Sequence, residues 1–242
     1  MRRFRDVQVS FGPPLTWAVR NLVIITSAVF LLTYLPAQIF DFALPYVLFG
    51  LRPYDVTHRL FLWQPVTYLF LHAGFFHIIF NLFALWMFGA DLERMWGPRR
   101  FLTYFFLTGV GAGVFDVLLQ PSSITTTIGN SGAVYGVLLA FGLLFPERPI
   151  YLWLLIPVKA KWFVLIMGLI EFVSSFQMPG SKISHIAHLG GMLVGFLNLR
   201  GGGLPYRLQL RYHEWRRARL RRKFEVYMHD RERKDDAGRW IN

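Results

Sequence analysis

The sequence predicts an all-α membrane protein, a bundle of six transmembrane helices in which the fourth is short and starts inside the membrane. Three observations carry this. The 242-residue chain is 54% hydrophobic and 17% aromatic, with a mean hydropathy of +0.39, too apolar for a soluble domain of this size. Its apolar residues fall into stretches near the ~20 residues that cross ~30 Å of hydrocarbon. Lys and Arg collect in alternate connections between those stretches, as they do when cytoplasmic loops retain positive charge.

The first span is 21–40, "NLVIITSAVFLLTYLPAQIF". It carries Pro36 and Gln38 near its end and has no small-x-small cleavage pattern, so it reads as an uncleaved anchor. The second is 76–92, the third 100–119, the fourth lies within 125–145, the fifth is 160–176 and the sixth 184–199. Six spans return the chain to its starting side. Arg2, Arg3 and Arg5 precede the first span, Arg94, Arg99 and Arg100 follow the second, and Arg148, Lys159 and Lys161 lie between the fourth and fifth. The opposite loops are poor in base: 120–130 has no Lys or Arg, and the loop after the fifth span has only Lys182. Both termini are therefore expected in the cytoplasm. The parse is a short basic N-terminus (1–20), a six-span domain (21–199) and a basic C-terminal tail (200–242). With no cysteine, disulfides contribute nothing to it.

The fourth span is too short. Ser131 to Phe145 covers only ~22 Å at ~1.5 Å per residue, against a hydrocarbon core of ~30 Å. If its inner end lies at the cytoplasmic surface, its outer end starts inside the membrane. The polar approach "QPSSITTTIGN" must then dip in, lining a water-filled cavity or buried by protein. A serine at such a helix start sits beside backbone N–H groups and positive potential, which favour an oxyanion. An isolated serine there is more often a helix cap.

The companions of Ser131 shift that balance. A nucleophilic serine needs a base, and the sixth span offers His188, with Gly191 and Gly195 on nearly the same face. The fourth span carries its own small-residue stripe, Gly132, Gly136 and Ala140. Packing stripe on stripe would bring Ser131 and His188 together. The second span adds His77 and Asn81, one turn apart, with His72 just upstream. Such side chains are costly against lipid, so they should point into the bundle.

With these motifs assembled, the chain resembles the rhomboid family of intramembrane serine proteases over nearly its whole length before the tail. The resemblance rests on "HAGFFHIIFN", "GNSGAVYG" and "AHLGG" in that order, flanked by "WQPVTYLFLH" and "ERMWGPRR". It implies that Ser131 is the nucleophile and His188 the general base, a Ser-His dyad with no carboxylate to orient it. It further implies that Tyr135 stacks on His188, and that His77, Asn81 and the Ser131 backbone N–H form the oxyanion hole. Gly129 would shape the loop, Gly132 permit close helix contact, His72 order the cavity segment, and Glu93 and Arg94 join a structural polar network. The substrates so implied are transmembrane proteins, cleaved in or near their membrane segments.

The acids near the spans, Asp91, Glu93, Asp116 and Glu171, do not adjoin either reactive residue in sequence. Glu171→Gln is accordingly expected to keep most activity, although Glu171 and Asp116 stay open as distant partners. Gln64 stands where many family members have Arg, Asn130 where many have Ala, and His185 is an extra imidazole three residues before His188. The His185–His188 pair ranks as incidental rather than as a metal site, for want of a carboxylate or cysteine in register. No metal or other cofactor is expected.

The tail holds 13 Lys and Arg against six Asp and Glu, +7 of the +12 net charge. It mixes aromatics with arginines, yet it begins where the last span ends, so anionic lipid is the expected partner and nucleic acid is not. Two other classes stay open. A helix-binding relative without catalysis would be expected to lack Ser131 or His188, and both are present. A transporter would spread its polar residues along a path, whereas here they cluster towards the outer half. The compact architecture points to a bacterial inner membrane.

Overall fold

The computed structural model of the chain describes residues 13–152, 155–177 and 184–201. Arg2, Arg3, Arg5, Lys182 and nearly all of the basic tail lie outside the described residues, and with them part of the charge argument.

Helix α1 (Trp17–Phe40) enters from a buried cap. The Glu93 carboxylate accepts the Ala18 N–H at 2.8 Å, the Val19 N–H at 2.9 Å and the Thr16 hydroxyl. These are among the donors that a helix start leaves unpaired, and a negative charge there also opposes the helix dipole. Ala18, Val19, Leu22, Thr26 and Phe30 then recur at helical spacing as the buried face. The remainder of α1 presents apolar side chains outward.

The connection 41–74 folds into three short helices, α2 (Leu44–Phe49), α3 (Pro53–His58) and α4 (Gln64–Thr67), and a 3-10 turn at Tyr68–Phe70. Each short helix carries Pro in its first turn, where the missing N–H costs no bond. Gln64 is fully buried at its centre. Its Oε1 accepts the Arg52 N–H at 3.0 Å and its Nε2 donates to Val47 and Leu48 carbonyls at 3.4 Å. The position where many family members have Arg thus faces inward here and stitches the segment to itself.

Helices α5 (Phe75–Trp96) and α6 (Pro98–Leu119) meet at Gly97, whose φ of 79° suits glycine. Helix α7 (Ser131–Leu144) follows, then a hairpin of β1 (Pro149–Leu152) and β2 (Ile156–Lys159), α8 (Ala160–Gln177) and α9 (His185–Arg200). Among the described residues four helices, α1, α5, α6 and α8, are long and apolar enough to cross a membrane. Helices α7 and α9 are shorter, at 14 and 16 residues.

The hairpin departs from the all-α expectation. Its strands have four residues each, paired Pro149 to Lys159 through Leu152 to Ile156. Runs that short carry no legible period. Glu147, just before it, bonds Lys159 and Lys161, which hold its carboxyl down at about 2.

Helix α7 sits at the centre, with nine buried residues around its circumference, from Gly132 to Gly142. A helix apolar all round belongs in a core. Phe141 packs edge-on to Phe88 of α5 at 5.0 Å between centroids, and Leu85, Phe101, Phe105, Val137 and Leu138 complete the same cluster.

Candidate active site

The site is built around the first turn of α7. Gly129 precedes it with φ +112°, a conformation that L side chains rarely adopt, and a Cβ there would lie 2.8 Å from Nε2 of His77. Gly129 also donates its N–H to the Tyr68 carbonyl at 2.9 Å. Backbone and neighbours both demand glycine. The first ladder bond of α7 runs from Val134 N–H to the Asn130 carbonyl at 2.9 Å. The N–H groups of Ser131, Gly132 and Ala133 precede it and have no acceptor within the helix.

Two glycines let α9 reach this turn. A Cβ on Gly191 would collide with the Gly132 carbonyl oxygen, and one on Gly132 would lie 2.6 Å from Cβ of Ala112. The two small-residue stripes do not run along each other as the sequence suggested. Gly136 packs on Thr108 of α6, and the space beside Gly195 is taken by Tyr104, whose hydroxyl donates to the Gly136 carbonyl at 2.9 Å. The helices meet closely at Gly132 and Gly191 because a tyrosine of α6 wedges between them further down.

At this crossing Nε2 of His188 lies 2.7 Å from Oγ of Ser131. The His188 ring stacks on Tyr135, one turn along α7, at 4.3 Å between centroids and 17° between planes. Ser184 caps α9 by accepting the Ala187 N–H at 3.1 Å, and Asp116 of α6 in turn accepts the Ser184 hydroxyl at 3.1 Å. Asp116 also takes the Thr127 hydroxyl at 2.9 Å and the Gln120 amide at 3.2 Å. It ties α6, the polar approach to α7 and the start of α9 together.

Glu171 of α8 stands directly behind the imidazole. Its Oε2 is 3.0 Å from Nδ1 of His188 and 2.6 Å from Nδ1 of His185, and its Oε1 accepts the Tyr135 hydroxyl. The contact with His188 is close but off the hydrogen-bond axis, so His188 Nδ1 has no aligned partner among the described residues. The geometry thus corrects the expectation that His188 has no carboxylate beside it. Distance along the sequence hid this because Glu171 sits on the helix that packs against α9's start, 14 residues before His185. The only signal available was a lone acid within an apolar span.

On the other side of Ser131, the α5 residues face the Gly129 loop. His77 touches that position as above, and Nδ2 of Asn81, buried, lies near it without a hydrogen-bond partner among the described residues. His72 is fully buried beside His77, 4.9 Å between ring centroids, and its carbonyl accepts the Tyr46 hydroxyl at 3.1 Å. Asn130 is buried, and neither of its side-chain polar atoms has a hydrogen-bond partner among the described residues. An unpaired amide N–H and an imidazole beside Gly129, next to the free helix-start N–H groups of α7, are groups that can hold a developing oxyanion. Glu93, by contrast, caps α1 as described, while Arg94 bonds Asp91 at 2.5 Å and the Pro14 carbonyl at 3.0 Å.

Comparison with known proteins gives the family of the chain. The Rhomboid domain model matches residues 60–200. Among similar curated proteins, Rhomboid protease GluP of Bacillus subtilis (strain 168) is 30% identical over 164 residues, covering 66% of this chain and 30% of that protein. Rhomboid protease GlpG of Yersinia pestis (strain Pestoides F) is 30% identical over 146 residues, 60% of this chain and 50% of that one. Rhomboid protein 1, mitochondrial, of Saccharomyces cerevisiae is 29% identical over 132 residues, 53% and 38% of the two chains. The chain spans about half or less of the length of these relatives.

Proposed function

The chain belongs to the rhomboid family and is an integral membrane protein, and from that premise we propose that it is an intramembrane serine endopeptidase acting on transmembrane proteins. The observation that carries the reading is the 2.7 Å contact between Ser131 Oγ and His188 Nε2 at a helix start ringed by unused donors.

Ser131 is the nucleophile. His188 accepts its proton through Nε2 as Oγ attacks the scissile carbonyl, then returns that proton to the leaving amine. A water, deprotonated by the same nitrogen, releases the acyl group from Ser131. The carbonyl oxygen, negative in the tetrahedral intermediate, is held by Asn81, His77 and the Ser131 N–H. Tyr135 fixes the ring plane of His188. Glu171, 3.0 Å from Nδ1, favours the tautomer with its proton on that nitrogen and stabilises the imidazolium.

Six spans, with α7 and α9 as the short ones, would place both termini in the cytoplasm and the start of α7 below the outer surface, in a bacterial inner membrane. A 14-residue α7, with nine of its residues buried, supports a helix that need not reach both surfaces. A substrate helix would unwind there to present its backbone to Ser131, and the basic tail would rest on anionic lipid.

The test is labelling of the detergent-solubilised protein by a serine-reactive fluorophosphonate, together with cleavage of a transmembrane substrate in liposomes. Both are expected in the wild type and absent from Ser131→Ala and His188→Ala. Labelling that survives Ser131→Ala would refute the assignment.

A further inference from the structure

Behind the catalytic imidazole lies a second cluster. His185 and His188 are three residues apart on α9, and α8 supplies the carboxylate that their own helix lacks. The ligand atoms of Glu171, His185 and His188 lie within 4.8 Å of one another. Their side chains are 7%, 12% and 8% exposed, well screened from water. An independent observation points the same way: buried Nδ1 of His188 makes no hydrogen bond among the described residues. It lies 3.0 Å from the carboxylate without being paired to it.

Two imidazoles and a carboxylate are a donor set for Zn2+, which binds such nitrogen and oxygen atoms at ~2.0–2.2 Å in a tetrahedron that separates ligand atoms by about 3.3 Å. The present separations from Oε2, 2.6 Å to His185 Nδ1 and 3.0 Å to His188 Nδ1, need to open by less than ~1 Å, and the ligand atoms of the two imidazoles, within 4.8 Å of each other, must settle at the same spacing. The Tyr135 hydroxyl on Oε1 is the kind of outer contact that orients a ligating carboxylate. Water would take the fourth position.

We propose that Glu171, His185 and His188 form a binding site for a zinc-type divalent cation, and that its occupancy switches the enzyme off. The inference rests on His188 being the general base. A neutral imidazole has one lone pair and one N–H. With the metal on Nδ1, the ring's remaining proton sits on Nε2, and Nε2 can no longer accept the proton of Ser131. Ser131 and the oxyanion donors are left in place, so the block lies in the base alone. An oxygen-preferring cation such as Mg2+ has no comparable hold on two imidazoles.

The experiment has two arms. In the first, Zn2+ binding to metal-stripped Ser131→Ala protein is titrated against a chromophoric chelator, with no activity required. One ion per chain is expected, and a loss of affinity of at least tenfold in the Ser131→Ala/His185→Ala and Ser131→Ala/His185→Gln doubles. In the second, cleavage with and without Zn2+ is compared within each protein. The wild type should be inhibited at the concentrations that fill the site and restored by EDTA. His185→Ala and His185→Gln should need at least tenfold more Zn2+ for the same fractional inhibition, and Mg2+ should leave the wild type unchanged. Equal zinc sensitivity with and without His185, or no stoichiometric binding in the first arm, overturns the site. Binding with no cleavage by any version refutes the proposed protease function and the off-switch with it, while leaving the metal site standing.

Discussion

Gly191 faces the carbonyl of Gly132 so closely that no methyl group fits between the two helices. That crossing sets the distance between Ser131, next to Gly132, and His188, one turn before Gly191. Gly191→Ala is therefore expected to force the helices apart, destabilise the protein by about 2 kcal/mol or more and abolish fluorophosphonate labelling even in the folded fraction. Thermal unfolding in detergent and labelling of the same samples measure both.

Glu171→Gln is expected to lower kcat by roughly 10- to 100-fold, within the range for disturbing acid–base catalysis, with KM nearly unchanged. The neutral amide neither stabilises the imidazolium nor favours the Nδ1 proton. Steady-state cleavage of a transmembrane substrate gives the split, and activity equal to wild type would make His188 self-sufficient.

Asn81→Ala removes a buried amide whose Nδ2 has no hydrogen-bond partner among the described residues. Its loss should leave the melting temperature almost unchanged yet reduce kcat by ~10²- to 10³-fold, the scale for one oxyanion donor. A fall in stability without a specific fall in kcat would assign Asn81 to packing instead.

Glu93→Ala strips three hydrogen bonds from the start of α1 and leaves buried N–H groups unpaired. A cost of about 2 kcal/mol or more is expected, with activity per folded molecule preserved because the cap lies away from Ser131. Unfolding midpoints and active-site titration together check this.

Gly129→Ala combines a positive φ with a contact on His77. Strain of about 1–2 kcal/mol and displacement of the imidazole should lower kcat more than stability, as read from the same two assays.

The chemistry-bearing residues were legible because each is locally encoded. Ser131 opens an apolar run that is too short to span, His77 and Asn81 share a helical face, and Gly129 stands two residues before Ser131. Much else was not legible for reasons of length. The short helices of 41–74 and the four-residue strands of the hairpin are smaller than the windows in which a period can be read.

By itself the sequence determined which stretches are apolar helices, which of them is short, and which polar side chains those helices must carry inward. Those are consequences of composition and of a 3.6-residue period, and both act over a few turns. Only the tertiary structure decided that His188 meets Ser131 across 57 residues, that Glu171 from α8 stands behind it, that the glycine stripes touch at a single point because Tyr104 fills the rest, and that Gln64 faces inward. Such contacts depend on how far each helix is rotated about its axis and where it crosses its neighbours. Those quantities are fixed by the summed packing of many side chains rather than by any local pattern.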